Sequence, residues 1–304
     1  MDKTQTQEEL LRMLTATMEG PYYTQEKVEV HMAELLTPNN IVFLTGDTHG
    51  RFDRIYDFCQ KQDVQKENTL IILGDAGLNY YGGKRDVRNK EYLSELPITF
   101  FCIHGNHEMR PSPGLGYELR EYHGGQVWVE PAFPNLVFAV DGEVYEFGRH
   151  ACIVIGGAYS VDKHYRLERG WGWWEDEQPS EEIKVKVERA LDDRNWKIDT
   201  VLSHTCPIRY EPTEAFLPII GQSAVDKSTE QWLGKIESRL SYERWYCGHY
   251  HIDKKIDKLR FMFNDFALIP HTLSIAEEEA IIRRLEHQAN VIRACELGGD
   301  EPQS

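Results

Sequence analysis

Short apolar runs, each cut off by a glycine and a polar residue, set the rhythm of the chain. Residues 41–44 run into Thr45-Gly46-Asp47, and residues 70–73 run into Gly74-Asp75. Residues 98–103 run into His104-Gly105-Asn106-His107-Glu108. Runs this short and this apolar predict strands buried on both faces. Between them, residues 51–62 place Phe52, Ile55, Tyr56 and Cys59 on one helical face, and residues 85–96 predict another helix. Alternating strand and helix imply an α/β core. The middle of the chain turns to β, with strands predicted over 126–130, 136–140, 143–147 and 151–155 and a hairpin signal at Asp141-Gly142. Residues 158–179 predict an irregular loop rich in charged and aromatic side chains. A helix is predicted over 180–193, with Ser180 as N-cap and Glu181 and Glu182 at the positive end of its dipole. Strands at 200–203 and 245–247 end in His204 and in Gly248-His249-Tyr250-His251. Helical patterns over 7–36 and 275–297 flank the whole. The division this predicts is a helical extension over 1–40, a main domain over 41–272, and a helix and tail over 273–304 packed on or beside it.

Composition narrows the function classes. The 304-residue chain carries a formal charge of −16, which opposes broad non-specific binding to nucleic acid or anionic lipid. A local basic patch can still hold a phosphorylated ligand. The six cysteines form no C-x-x-C pair, and a chain of this length needs no disulfide staples, so a reducing compartment is expected. The first residues lack a basic start and an apolar run, and no stretch reaches the roughly 20 apolar residues of a membrane span. The expectation is a cytoplasmic protein without a membrane partner.

Asp47, His49, Asp75, Asn106, His204, His249 and His251 all follow strand ends at once. Functional groups in open α/β sheets gather at the carboxyl ends of strands, so these chain-distant loops can converge. Carboxylate, amide oxygen and neutral imidazole together suit borderline divalent cations. Asp-x-His and His-x-His put two donors on one side of an extended segment.

GDTHG at 46–50, GD at 74–75, GNHE at 105–108, SH at 203–204 and GHYH at 248–251 resemble the signature blocks of calcineurin-like metallophosphoesterases, in the family's order. The resemblance spans about residues 41–252, and the segment from Gly156 to Ser180 is similar to a bacterial and phage branch of that superfamily. It implies an α/β (α+β) fold, a four-layer αββα sandwich of two mixed sheets flanked by helices. It also implies two divalent metal ions, with Mn²⁺ foremost and Fe, Zn, Ni or Co as alternatives. Asp47, His49, Asp75 and His251 would hold one ion, and Asp75, Asn106, His204 and His249 the other. Asp75 and His107 would be catalytic, the first by bridging the ions and the second as general acid. The implied reaction is in-line attack of a metal-bridging hydroxide on a phosphomonoester or phosphodiester, whether small molecule, nucleotide or phosphoprotein.

The chain departs from the protein Ser/Thr phosphatases of that superfamily, which carry GDxVDRG at the second block and an arginine before GNHE. Leu78 stands where their orienting carboxylate would, and His104 precedes Gly105. That argues against phosphoprotein phosphatase activity. A nuclease or nucleotide pyrophosphatase is the second enzymatic reading. A metal-dead binding scaffold is the non-enzymatic one, but it predicts eroded ligands and none of the seven is eroded.

Arg51, His104, Arg110, Lys163, His164 and Arg166 are the candidate cations for a substrate phosphate, against the plainer reading of a solvated loop with local ion pairs. Glu108 suits either a loop-orienting hydrogen bond or a solvated position. Trp171, Trp173 and Trp174 suit either core packing or stacking on a nucleobase, and Tyr80-Tyr81-Gly82-Gly83 suits a turn or a rim.

Overall fold

The structure, a computed structural model, describes residues 41–62, 64–148, 150–216 and 221–269. The helices expected over 7–36 and 275–297 lie outside the described residues. The first half runs β1 (Val42–Thr45), α1 (Asp53–Gln62), β2 (Thr69–Ile72), α2 (Lys84–Ser94), β3 (Thr99–Cys102), β4 (Glu118–Tyr122), β5 (Gly125–Val129), β6 (Leu136–Ala139) and β7 (Val144–Phe147). The second half runs β8 (His150–Ile155), α3 (Lys163–Glu168), α4 (Glu181–Asp193), β9 (Lys197–Ser203), α5 (Ser228–Arg239), β10 (Ser241–Cys247), β11 (Lys254–Ile256), β12 (Leu259–Phe261) and β13 (Phe266–Leu268).

These strands form two mixed sheets. One has the order β13-β1-β2-β3-β6-β5-β4 and the other β11-β12-β10-β9-β8-β7. The centre of each is parallel: β1, β2, β3 and β6 in the first, and β12, β10, β9 and β8 in the second. Antiparallel strands close the outer edges.

The period-two side-chain alternation of each strand decides the layering. Val42, Leu44, Ile71, Phe101, Cys152, Val154 and Leu202 point into the slab between the sheets. Their neighbours Phe43, Leu70, Ile72 and Phe100 face α1 and α2, packing on Ile55, Phe58 and Leu93. On the far side Ile153, Ile155 and Val201 meet Val187 and Leu191 of α4 and Trp232, Leu233 and Ile236 of α5. Three apolar layers between helix, sheet, sheet and helix make the αββα sandwich that the sequence implies. Ser180 caps α4 as predicted, accepting the backbone N–H of Ile183 at 3.3 Å. Among the described residues, Cys59, Cys102, Cys152, Cys206 and Cys247 are buried and free, and no helix is long and apolar enough to cross a membrane.

The structure corrects the loop expected over 158–179, since α3 lies inside it. It also adds β4, β11, β12, β13 and α5, which the pattern did not announce. Four of the five residues of β4 (ELREY) are exposed, and the other three strands hold three residues each, too few for an alternation to register.

Glu230 of α5 is buried, with Thr205 donating to its Oε1 at 2.7 Å and nothing donating to Oε2. Burial pushes this carboxyl up to about 7 from 4.5, so the fold favours its protonated form. Between those two values the native state binds more protons than the unfolded one, and stability falls as pH rises. Glu230→Gln keeps the acceptor for Thr205 without the titration. The wild-type minus variant difference in melting temperature should therefore turn against the wild type between pH 4.5 and pH 8, read by thermal melts in matched buffers; a pH-independent difference would contradict this account.

Candidate metal centre

The carboxyl ends of β1, β2, β3, β9 and β10 deliver the seven predicted donors to one place. His49 Nε2 stands 2.8 Å from His251 Nε2, and Asp47 Oδ2 lies 3.2 Å from His251 Nε2 and 3.8 Å from His49 Nε2. Beside them, Asn106 Oδ1 stands 2.8 Å from His204 Nε2 and 3.0 Å from His249 Nδ1. Asp75 Oδ2 lies 3.7 Å from His204 Nε2. Asp75 shares one cluster of donors with His49 and His107 and another with Asp47 and His204, so it stands between the two groups.

The loops are stitched together so that this approach is possible. His49 donates its backbone N–H to Asp75 O at 2.8 Å, and Gly248 donates to His204 O at 2.9 Å. The backbone N–H of His107 holds Asp75 Oδ1 at 2.8 Å, and that of His249 holds Asp47 Oδ1 at 2.9 Å. A Cβ on Gly105 would fall 2.0 Å from Asp75 Oδ1, and one on Gly248 would fall 2.3 Å from Asp47 Oδ1, so no other residue fits at either place. From α1, Arg54 donates to the carbonyls of Gly46 and Asp47 at 3.0 Å and to Thr45 Oγ1.

The donor chemistry fits divalent cations. His204 Nδ1 faces the Leu73 carbonyl at 2.7 Å, and a carbonyl only accepts, so Nδ1 carries a proton and Nε2 is the nitrogen turned to the donor cluster. Asn106 donates its Nδ2 to Ser160 Oγ at 2.9 Å, which turns its Oδ1 toward the imidazoles. Asn106 Oδ1 and His204 Nε2 meet at 2.8 Å, a contact that either a proton on Nε2 or a shared cation bridges. Asp47 Oδ2 is buried, with His251 Nε2 3.2 Å away, and this carboxylate raises the His251 imidazole. Burial lowers His49, and it lowers His249 to about 3 with help from His204, which keeps both imidazoles neutral and able to donate a lone pair. Burial alone would raise Asp47 and Asp75, but the histidines around them hold both below the usual carboxylate range.

Other candidates fall in different places. Arg51 and His164 are exposed. Lys163 Nζ sits 3.9 Å from the centre of the Trp173 ring. Arg166 is a correction. Its side chain is fully buried, donating to Ser160 Oγ at 3.0 Å and to Gly172 O, so it cannot meet a substrate phosphate. Through Ser160 it instead steadies Asn106. Arg110 is likewise turned inward, paired with the buried Asp141 and donating to Asp176 O at 2.9 Å. His104 is buried and kept neutral, first by burial and then by Arg110. Glu108 accepts from Gly105 N at 2.8 Å, and burial together with Asp75 pushes its carboxyl up to about 8. The loop-orienting role expected of it fits this contact.

Sequence reasoning missed Ser160, Asp162 and Arg54. Asp162 Oδ1, buried and without a hydrogen bond, lies 3.7 Å from His107 Nε2. Leu78, which stands where protein Ser/Thr phosphatases carry the orienting carboxylate, is fully buried in the apolar layer under α1 and α2.

An αββα sandwich with oxygen and nitrogen donors clustered at its strand ends is the architecture of the metallophosphoesterase fold. The calcineurin-like phosphoesterase family matches residues 42–253, and the chain belongs to that family. The crystal structure of TT1561 of Thermus thermophilus is similar at 13% identity over 73% of this chain and 88% of that one, with a TM-score of 0.41. That of AQ665 from Aquifex aeolicus, a protein of unknown function, is similar at 13% identity over 57% of this chain and 82% of that one, with a TM-score of 0.24. No curated protein matches the chain.

Because Gly105 and Gly248 leave no space for a methyl group, Gly105→Ala and Gly248→Ala should each displace a carboxylate. The expected result is a loss of about 10–100-fold in Mn²⁺ affinity by titration calorimetry with the far-ultraviolet circular dichroism unchanged. Full affinity in both variants would refute the packing argument.

Proposed function

We propose that the chain is a dimetal-dependent phosphoesterase that hydrolyses a phosphomonoester or phosphodiester. The observation that carries this reading is the convergence of carboxylate, amide and imidazole donors from five strand ends, with Asp75 shared between two donor groups. Asp47, His49, Asp75 and His251 form one binding set, and Asp75, Asn106, His204 and His249 form the other. Oxygen and nitrogen donors without thiolate favour Mn²⁺, with Fe, Zn, Ni and Co as competitors. Two such ions, when bound, supply positive charge for the phosphoryl oxygens and lower the pKa of a nearby water.

The remaining chemistry falls to the protein. Attack of water in line with the leaving group requires that group to collect a proton as it departs. His107 is half-buried beside the donor cluster, its ring centre 5.5 Å from that of His49, and is the proton donor in this reading. Its backbone N–H is tied to Asp75, which fixes it relative to the binding sets. Asp162 Oδ1 lies 3.7 Å from its Nε2, a carboxylate beside the ring where Leu78 offers none. Asp162 is a positioning residue and does not touch the reacting atoms.

Turnover of an aryl phosphate with Mn²⁺ should fall by at least about a hundredfold in Asp75→Ala or His249→Ala, and undiminished rates in either would refute the site. In His107→Ala, alkyl esters should slow about 10²-fold more than activated aryl esters, because only the poor leaving group needs the acid. Asp162→Asn should show the same leaving-group dependence at about tenfold, and equal slowing of both esters would assign it a merely structural role.

A further inference from the structure

Next to His107 the structure opens a cleft whose lining has nothing to do with phosphorus chemistry. Its volume is about 660 Å³, and Tyr80, Tyr81, Arg85, Met109, Trp171 and Trp174 line it. The cleft begins where the proposed acid ends, since the Tyr80 ring stacks on His107 with centres 6.1 Å apart and planes 21° apart. Trp174 meets Tyr80 edge-on at 5.7 Å.

This wall is built rather than accidental. A Cβ on Gly172 would fall 2.6 Å from Trp174 Cη2, so only glycine lets the indole lie there. The Arg166 guanidinium stands 5.5 Å from the centre of Tyr80 and 5.8 Å from that of Trp174. Asp86 accepts the backbone N–H groups of Tyr81 at 3.0 Å and Gly82 at 2.7 Å, which pins the rim. At the mouth, Tyr81 is 39% exposed and Trp171 is 51% exposed, so flat apolar rings meet water.

Charge and shape select the ligand. In a chain of net charge −16, the lining holds one charged side chain, the cation Arg85, whose guanidinium lies 3.8 Å from the centre of the Tyr81 ring. A lipid tail would call for an aliphatic wall, and Met109 is the one aliphatic side chain in the lining. Aromatic faces beside a guanidinium suit a planar, electron-rich heterocycle, which stacks whatever its edge pattern. We infer that the cleft is a nucleobase subsite, so that the substrate is a nucleotide-class phosphoester with its base among these rings and its phosphoryl group at the donor cluster. The phosphoryl end of this inference rests on the proposed dimetal reading; the base-binding end does not.

Equilibrium dialysis of labelled adenosine, which has no phosphate, tests the cleft alone. Wild type should bind it, Trp171→Ala and Tyr81→Ala should bind about tenfold more weakly, and Trp171→Phe should restore most of the loss. In the Mn²⁺-loaded protein, Trp171→Ala should also lower the ratio of kcat/KM for 5′-AMP to that for glycerol phosphate by about tenfold. If no ester turns over while adenosine still binds in a Trp171-dependent way, the dimetal reading fails and the subsite stands. If wild type binds no adenosine, or if both alanine variants bind it undiminished, the subsite is overturned whatever the esterase activity.

Discussion

Two buried carboxylates, Asp47 and Asp75, sit side by side where two sheets meet, and every other feature of the site answers to them. Isolated charges at such depth are costly, and each carboxylate raises the other's preference for its proton. Backbone N–H groups hold one oxygen of each, and histidines surround the rest. His251 Nε2 stands 3.2 Å from the second oxygen of Asp47, and His204 Nε2 meets Asn106 Oδ1 at 2.8 Å. The cluster therefore gathers oxygen and nitrogen donors of the kind that could hold a cation.

Holding those donors requires local backbone strain. His49, Asp75, His249 and His251 all adopt positive φ, between 47° and 68°. Aspartate and histidine tolerate that region better than most side chains, but each such residue still costs about 1–3 kcal/mol. Three well-packed apolar layers overcome that cost. Rigid strands deliver the residues and sharp turns re-aim them, so alternation along an extended segment is only part of why Asp-x-His and His-x-His work here.

Much of this was legible in the sequence because two signals coincide there. Apolar runs such as 70–73 mark strands, and the ligand-type residues behind them mark the end at which function gathers. What escaped has a common cause. Polar edge strand β4 and the three-residue strands β11, β12 and β13 are shaped by pairing partners far along the chain, and short exposed segments carry little periodicity. Ser160 and Asp162 gain their roles from contact with Asn106 and His107, more than 50 positions away. Arg166 looked like a loop cation because nothing local announces that α3 buries it.

Arg166 also links two things that a surface view would keep apart. The same guanidinium supports Asn106 through Ser160 and stands behind the Tyr80 and Trp174 wall of the cleft. A substitution that shifts this one buried guanidinium therefore reaches the aromatic wall and the Asn106 amide at once.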